Sequence, residues 1–227
     1  MAEWERVLAV FAHPDDAELG CGGSLAQWIA EGATIHYIIA TNGNKGTKDP
    51  SLSPHRLSEI REAEQQEAAK SLGVQDIVFL RYNDGELRCD DGLKIQLAML
   101  FRHYRPDVIV THDPWRRYNL HPDHRALGIA VTDGIVAARD HLYLPALSVI
   151  GLKPHHIPKA LYAGADNPNH FVDISGTLEA KLEPIARHES QMSHINGWRD
   201  RVRKRSADIG KKGGLEYAEG FHLLEMR

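Results

Sequence analysis

Two adjacent aspartates follow a short apolar run near the start of the chain, in the order His13, Pro14, Asp15, Asp16. Neighbouring carboxylates repel each other, and burying them at the end of a strand is costly unless a cation or a proton compensates. A metal ion bound by Asp16 would neutralise that carboxylate and would favour the ionised form of Asp15. The pattern therefore indicates a metal site in which Asp15 stays free to take a proton.

A second cluster of imidazoles and carboxylates lies more than one hundred positions later, in the stretch THDPWRRYNLHPDHRALG. Its candidate residues are His112, Asp113, His121, Asp123 and His124. A catalytic zinc site needs three protein ligands drawn from His, Asp or Glu, together with a water. His13, Asp16 and His124 would supply that set.

Each cluster also has a structural interpretation. Proline and aspartate favour turns, so His13-Pro14-Asp15 can be a plain turn. Asp123 can be a first-turn carboxylate that opposes a helix dipole. His112 is either a fourth metal ligand or a strand-end histidine satisfied by the backbone. A ligand set with a spare carboxylate, following two predicted strands, is harder to explain by packing alone.

The elements that must bring the two clusters together follow a β-α-β pattern. Apolar, β-rich runs at 7–12, 34–41, 77–80 and 107–111 alternate with helical patterns, and weaker strands are predicted at 160–163 and 171–174, followed by a helix at 177–191. This order predicts an α/β fold, with a mostly parallel sheet and helices on both faces. In a 3-2-1-4 strand order, the clusters follow neighbouring strands at the point where ligands bind.

Composition restricts the class of protein. The 227 residues carry a net charge of −4 and 42% apolar residues, which is ordinary for a globular domain. We therefore expect no nucleic-acid partner and no integral membrane segment. The opening residues have no signal-peptide pattern and there are only two cysteines, so we expect a cytoplasmic location. Fourteen histidines justify the search for a metal site.

Three other classes of function compete with a metal-dependent hydrolase. The segment GCGGSL at 20–25 has some features of a dinucleotide-binding loop, but it ends in leucine and follows two carboxylates that would repel a pyrophosphate. Ser24 lies in an approximate nucleophile elbow of a serine hydrolase, although well past the strand end. A non-catalytic metal-dependent sugar-binding protein is the third, and it would have no use for Asp15.

The motifs AHPDDAELGCGG and HPDHRALG together resemble the PIG-L/LmbE-like zinc-dependent N-deacetylases, over most of the chain. The resemblance implies a Rossmann-like single domain over 1–227, with a core at about 5–191 and 192–227 as its C-terminal extension. It implies removal of an N-acetyl group from an N-acetylglucosamine sugar or conjugate; a different N-acyl conjugate is the alternative. A homo-oligomer, hexamer or trimer, is also implied.

The same resemblance assigns roles to residues. It implies one Zn²⁺ per chain on His13, Asp16 and His124, although other divalent metals would also fit this donor set. Asp15 is then the general base. Catalytic roles also fall on His121, as electrophile and acid, and on Asp123, which lies behind it and favours its charged form. Arg61 and Asp84 are implied to contact the sugar.

Some of these residues have simpler interpretations. Arg61 lies in a charged helix and can be an exposed partner of Glu64 or Glu67. Asp84 precedes Gly85 and can belong to a plain turn. The basic stretch at 198–212 is typical of a solvated helix face; a lid, or a surface that attracts a phosphate or carboxylate of the substrate, is the alternative.

Overall fold

Strands and helices alternate through most of the chain in the computed structural model, which describes residues 3–226. The strands are β1 (Arg6–Phe11), β2 (Thr34–Thr41), β3 (Asp76–Tyr82), β4 (Val108–His112), β5 (Lys159–Ala163), β6 (His170–Asp173) and β7 (Ala218–Glu225). The helices are α1 (Asp16–Ala30), α2 (Pro54–Leu72), α3 (Asp91–Tyr104), α4 (Pro122–Arg139), α5 (Pro145–Val149), α6 (Leu178–Ala186), α7 (Glu189–Met192) and α8 (Trp198–Gly213).

All seven strands belong to one sheet, in the order β3-β2-β1-β4-β5-β7-β6. The first five of these pair in parallel, whereas β7 runs antiparallel to both β5 and β6. The predicted α/β class and the 3-2-1-4 order are confirmed. The sequence predicted no strand after residue 191, yet β7 lies inside the sheet and joins β6 to the rest of it.

Helices cover both faces of the sheet because the central strands are apolar on both sides. In β1, Leu8 and Val10 pack on the face covered by α3 and α4, whereas Val7 and Ala9 pack on the face covered by α1 and α2. All four side chains are buried. The burial of both faces fixes β1 at the centre of the sheet, and the loop that leaves β1 therefore starts from a rigid point.

Two local features bear on the site. α2 begins after Ser53, whose hydroxyl accepts the Arg56 N–H, and ends at Gly73, whose φ of 94° suits glycine. The single helix predicted at 177–191 is two helices, because His188 leaves the helical conformation and its side chain is fully buried. Within residues 3–226, no helix is both long and apolar enough to cross a membrane.

Candidate metal centre

The candidate ligands lie where β1 and β4 end. The two strands pair in parallel, with Val10 opposite Thr111. The loop after β1 carries His13 and leads into α1, whose first residue is Asp16. α4, which follows β4 along the chain, carries His124 in its first turn. The predicted convergence is confirmed, since His13 Nδ1 lies 3.2 Å from His124 Nε2.

The distances between the three candidate ligand atoms suit a tetrahedral metal. Asp16 Oδ2 lies 3.0 Å from His13 Nδ1 and 3.3 Å from His124 Nε2. Zinc bonds of about 2.0–2.1 Å with tetrahedral angles place ligand atoms about 3.3–3.4 Å apart. His124 belongs to two groups of side chains whose ligand atoms all lie within 4.8 Å of one another. One of these groups also contains His13, and the other also contains Asp16. The residues present therefore fit a metal ion.

His112 supports this centre from the end of β4. Its Nε2 accepts the backbone N–H of Ala12 at 3.1 Å and lies 3.3 Å from Asp16 Oδ2, so this ring nitrogen already has a backbone partner. The ring stacks on His124, with centroids 3.9 Å apart and planes 11° apart. These contacts favour the strand-end interpretation of His112 over a fourth ligand. They also fix the plane of the His124 ring.

Asp123 contacts a different histidine from the one the sequence predicted. Its Oδ2 lies 3.0 Å from His13 Nε2 and accepts the Gly85 N–H at 2.7 Å, while Oδ1 accepts the Leu87 N–H. The expected position behind His121 is therefore not observed. The physical reason is local: Asp123 turns inward in the first turn of α4 and is fully buried, whereas His121 stands before that helix and is partly exposed. A carboxylate on the far nitrogen of His13 fixes its tautomer and orientation.

Carboxylates also control the protonation of His13. Burial disfavours its charged form, but hydrogen bonds to Asp123, Asp16 and Asp84 raise the pKa of His13 to about 11. A metal ion requires the neutral ring as a ligand, so metal binding must release this proton. We therefore expect the affinity for the metal to weaken as the pH falls.

Asp15 adopts a backbone conformation that is unusual for a residue other than glycine. Its φ is 99°, and its N–H donates to Gln65 Oε1 at 2.9 Å. Its carboxylate accepts Arg61 Nη2 at 3.2 Å. Burial raises the pKa of Asp15 to about 6, against the opposing charge of Arg61. Such a carboxylate is mostly ionised at neutral pH and can still carry a proton.

Arg61 is buried beneath the loop that carries Asp15. Only 3% of it is exposed, so the interpretation as an exposed partner of a glutamate is wrong. Its guanidinium also donates to the carbonyls of Pro14 at 2.6 Å and Gly43 at 3.1 Å. A Cβ on residue 43 would lie 2.3 Å from this guanidinium, so the glycine at position 43 leaves room for the Arg61 side chain. These contacts make Arg61 a positioning residue for Asp15, and its contact with a sugar stays a prediction.

Asp84 and His121 lie at the edge of the centre. Asp84 Oδ1 is 3.3 Å from His13 Nε2 and 3.7 Å from His121 Nε2. Burial, together with the charges of His13 and His124, lowers the pKa of His121, so its ring is neutral near pH 7. Asp84 lies in the turn with Gly85, as its simpler interpretation required, but it is also buried beside the centre. Its contact with a sugar stays a prediction.

A row of buried polar side chains behind Asp15 was not predicted from the sequence. Gln65 Nε2 donates to Glu18 Oε1 at 2.8 Å, and Glu18 Oε2 lies 3.4 Å from His188 Nε2. All three side chains are fully buried. One signal was present: Gln65 follows Arg61 by four positions, so both project from the same face of α2. These contacts anchor the Gln65 carboxamide, whose oxygen accepts the backbone N–H of Asp15.

The segment at 20–25 lies inside α1 and is used for packing. Ser24 is fully buried, and its hydroxyl donates to Glu219 at 2.5 Å, so it is no exposed nucleophile. A Cβ on Gly23 would lie 2.8 Å from Ile174, which explains the glycine at this close approach. The segment provides neither a nucleophile elbow nor a phosphate-binding loop.

Comparison with known proteins assigns the family. Residues 8–135 match the family described as PIG-L, GlcNAc-PI de-N-acetylase. The chain belongs to the PIG-L family. The diacetylchitobiose deacetylase of Thermococcus kodakarensis is 32% identical over 222 residues, which cover 97% of this chain and 83% of that protein. A probable N-acetyl-alpha-D-glucosaminyl L-malate deacetylase 2 of Bacillus cereus is 27% identical, over 82% and 83% of the two chains.

Solved structures agree with this assignment to the PIG-L family. The N,N'-diacetylchitobiose deacetylase from Pyrococcus horikoshii superposes with a TM-score of 0.94 at 33% sequence identity. The match covers 98% of this chain and 85% of that chain. The likeness therefore extends over nearly the whole chain, and these relatives are deacetylases, which hydrolyse amide C–N bonds.

We expect Asp123→Asn to weaken metal binding about 10- to 100-fold, because the amide no longer holds the His13 ring as a carboxylate does. Metal affinity is measured by competition with a chromophoric chelator. Asp133→Asn, an exposed position on the same helix, is the matched control and should bind metal like the wild type. An unchanged affinity in Asp123→Asn would remove Asp123 from the support of the metal.

Proposed function

We propose that this protein is a zinc-dependent deacetylase that removes the N-acetyl group from an N-acetylglucosamine sugar or conjugate. The observation that carries the proposal is the ligand triangle of His13, Asp16 and His124 with the free carboxylate of Asp15 beside it. A binding protein needs the triangle only; hydrolysis also needs a proton acceptor. The relatives named for diacetylchitobiose and glucosaminyl malate deacetylation support the same reaction.

Zinc held by these ligands would act as a Lewis acid that lowers the pKa of water to about 7. Asp15 accepts the proton of the attacking water, and its pKa of about 6 lets it pass that proton to the departing amine. The neutral His121 ring donates a hydrogen bond to the oxygen on which negative charge develops. Asp15 is thus the better candidate for protonating the amine, because the pKa of His121 is lowered.

Arg61 and Gln65 prepare Asp15 for this role. Arg61 holds the carboxylate and Gln65 holds the backbone N–H, so the side chain needs no reorganisation during the reaction. The positive charge of Arg61 also lowers the pKa of Asp15, which keeps more of the base ionised at neutral pH.

We expect Arg61→Gln to move the acid limb of the kcat/KM profile to higher pH, because the pKa of Asp15 rises when the guanidinium is removed. Activity requires ionised Asp15, so it is lost as the pH falls through that pKa. Arg61→Lys keeps a positive charge, so the acid limb of its kcat/KM profile should lie close to the wild-type pH. A limb that stays in place, or moves to lower pH, in Arg61→Gln would contradict the assigned contact.

Acetate release from a panel of compounds tests the function. The zinc-loaded enzyme is assayed with N-acetylglucosamine, diacetylchitobiose, and the inositol and malate conjugates of N-acetylglucosamine. Release from at least one sugar, abolished by a chelator and restored by zinc, is the expected result. If none of these sugars releases acetate but another N-acyl conjugate is hydrolysed, the protein is an amidase for that conjugate, which is the alternative function. The cytoplasmic location and the hexamer or trimer stay predictions; sedimentation velocity tests the oligomer.

A further inference from the structure

A cavity continues from the metal centre toward the C-terminal helix. Its inner part has a volume of about 170 Å³ and includes Asp16 and His124 in its wall. Its outer part, of about 260 Å³, lies among α1, the segment after β5, α8 and β7. The walls of the two parts share Leu19, Gly20, Arg116, Gly164 and Arg205, so the two parts adjoin. The outer part therefore lies next to the space beside the metal centre.

The outer part is rich in positive charge. Its charged side chains are Arg116, Lys181, Arg205, Lys212, Asp166 and Glu219. Both acids are already engaged: Glu219 forms a buried ion pair with Lys181 and accepts the Gly23 and Ser24 N–H groups, and Asp166 lies 3.9 Å from Arg116. Neither acid forms an ion pair with the remaining cations, Arg205 and Lys212.

Arg205 and Lys212 provide this unbalanced charge. Within residues 3–226, neither side chain makes a hydrogen bond or an ion pair with the protein. They lie seven positions apart on α8, and Ile209 between them lines the same wall. Lys211, directly beside Lys212, instead pairs with Asp208 at 3.1 Å and lies outside the cavity. Arg205 and Lys212 thus bring unpaired positive charge to the cavity wall.

Arg205 and Arg116 also repel each other. Desolvation by the surrounding wall, followed by the charge of Arg116, lowers the pKa of Arg205. An anion between them would relieve this repulsion. Guanidinium groups present paired donors that match a carboxylate or a phosphate. The cavity therefore has the charge and the donor groups that an oxyanion requires.

We propose that the outer cavity binds a carboxylate or phosphate group that the substrate carries away from its N-acetyl group, with Arg205, Arg116 and Lys212 as the anion ligands. The proposal rests on the proposed function, since it names the class of N-acetylglucosamine conjugate that the enzyme prefers. A neutral sugar would leave these cations without a partner.

The test compares matched anionic and neutral substrates. The zinc-loaded enzyme is assayed with N-acetylglucosamine 1-phosphate, the carboxymethyl glycoside of N-acetylglucosamine, and the neutral methyl glycoside. We expect kcat/KM for at least one anionic compound to exceed that for the methyl glycoside about tenfold. The difference should arise from a lower KM for the anionic compound. The anionic compound with the larger ratio distinguishes phosphate from carboxylate. The ratio should shrink as the salt concentration rises.

Adjacent residues on α8 provide matched variants. Arg205→Ala should lower the anionic-to-neutral ratio about tenfold, whereas Lys204→Ala, which removes a charge outside the cavity, should leave the ratio unchanged. Lys212→Ala and Lys211→Ala form a second pair with the same expectation. Equal hydrolysis of all three compounds, with a ratio that Arg205→Ala does not change, overturns the anion site and leaves the deacetylase function intact.

A failure of the deacetylase function gives a different result. If none of the three compounds is hydrolysed, calorimetric titration of N-acetylglucosamine 1-phosphate into the zinc-loaded protein still tests the cavity. Binding that is weakened by Arg205→Ala and not by Lys204→Ala supports the anion site. No binding, or equal binding in both variants, overturns it.

Discussion

Asp15→Asn is expected to lower kcat for acetate release about 10²- to 10⁴-fold, which is the usual contribution of a general base. Asparagine keeps the size of the side chain and tolerates the φ of 99° at this position, but it cannot take a proton. The Asp16 carboxylate and both histidine ligands are unchanged, so bound metal should stay at the wild-type level. Acetate release and metal content are measured on the same preparations.

Alanine is a poorer substitution at position 15. It removes the base but also strains a left-handed backbone by about 1–2 kcal/mol, so a loss of activity has two explanations. Asp200→Asn, at an exposed position on α8, is a suitable control for the loss of one carboxylate. Activity of Asp15→Asn within a few-fold of the wild type would show that another group takes the proton.

His124→Ala is expected to lose both the metal and the activity. It removes one of three ligands, and the two that remain do not form a catalytic zinc site. It also removes the ring that stacks on His112. Metal content by atomic emission should fall from about one ion per chain toward zero, and acetate release should fall to the background rate.

Two other histidines provide the contrast for this variant. His121→Ala should keep the metal and lose part of the turnover, because His121 is assigned a hydrogen bond to the reacting oxygen and no place in the ligand triangle. His141→Ala, at an exposed position, should retain both metal and activity. Full metal content in His124→Ala would mean that a different set of side chains binds the ion.

Most of the sheet could be predicted because its central strands are continuous apolar runs with helices between them. β7 could not be predicted in the same way, since AEGFHLLE alternates weakly and its partners lie far away in the sequence. Its antiparallel pairing with β5 and β6 is decided by tertiary contacts. The break at His188 was also hidden, because a fully buried imidazole beside Glu18 leaves no local pattern.

The convergence of the candidate metal ligands could be predicted because two short motifs follow strands that the topology places side by side. The partners of Asp123 and Arg61 depend on how their helices are rotated, which the motifs do not specify. In α2, Arg61 and Gln65 are buried along with Ala68 and Leu72. An apolar pattern does not predict the first two, since polar residues that serve the site occupy core positions.

The neighbouring carboxylates of Asp15 and Asp16 provide the most direct test, because the same change at adjacent positions should have different effects. Metal content and acetate release are measured for Asp15→Asn and Asp16→Asn, prepared side by side with added zinc. We predict that Asp15→Asn keeps about one metal ion per chain without turnover, whereas Asp16→Asn loses both. Equal loss of metal from the two variants, or full turnover with metal in Asp16→Asn, would contradict the assignment of one carboxylate to the metal and the other to the proton.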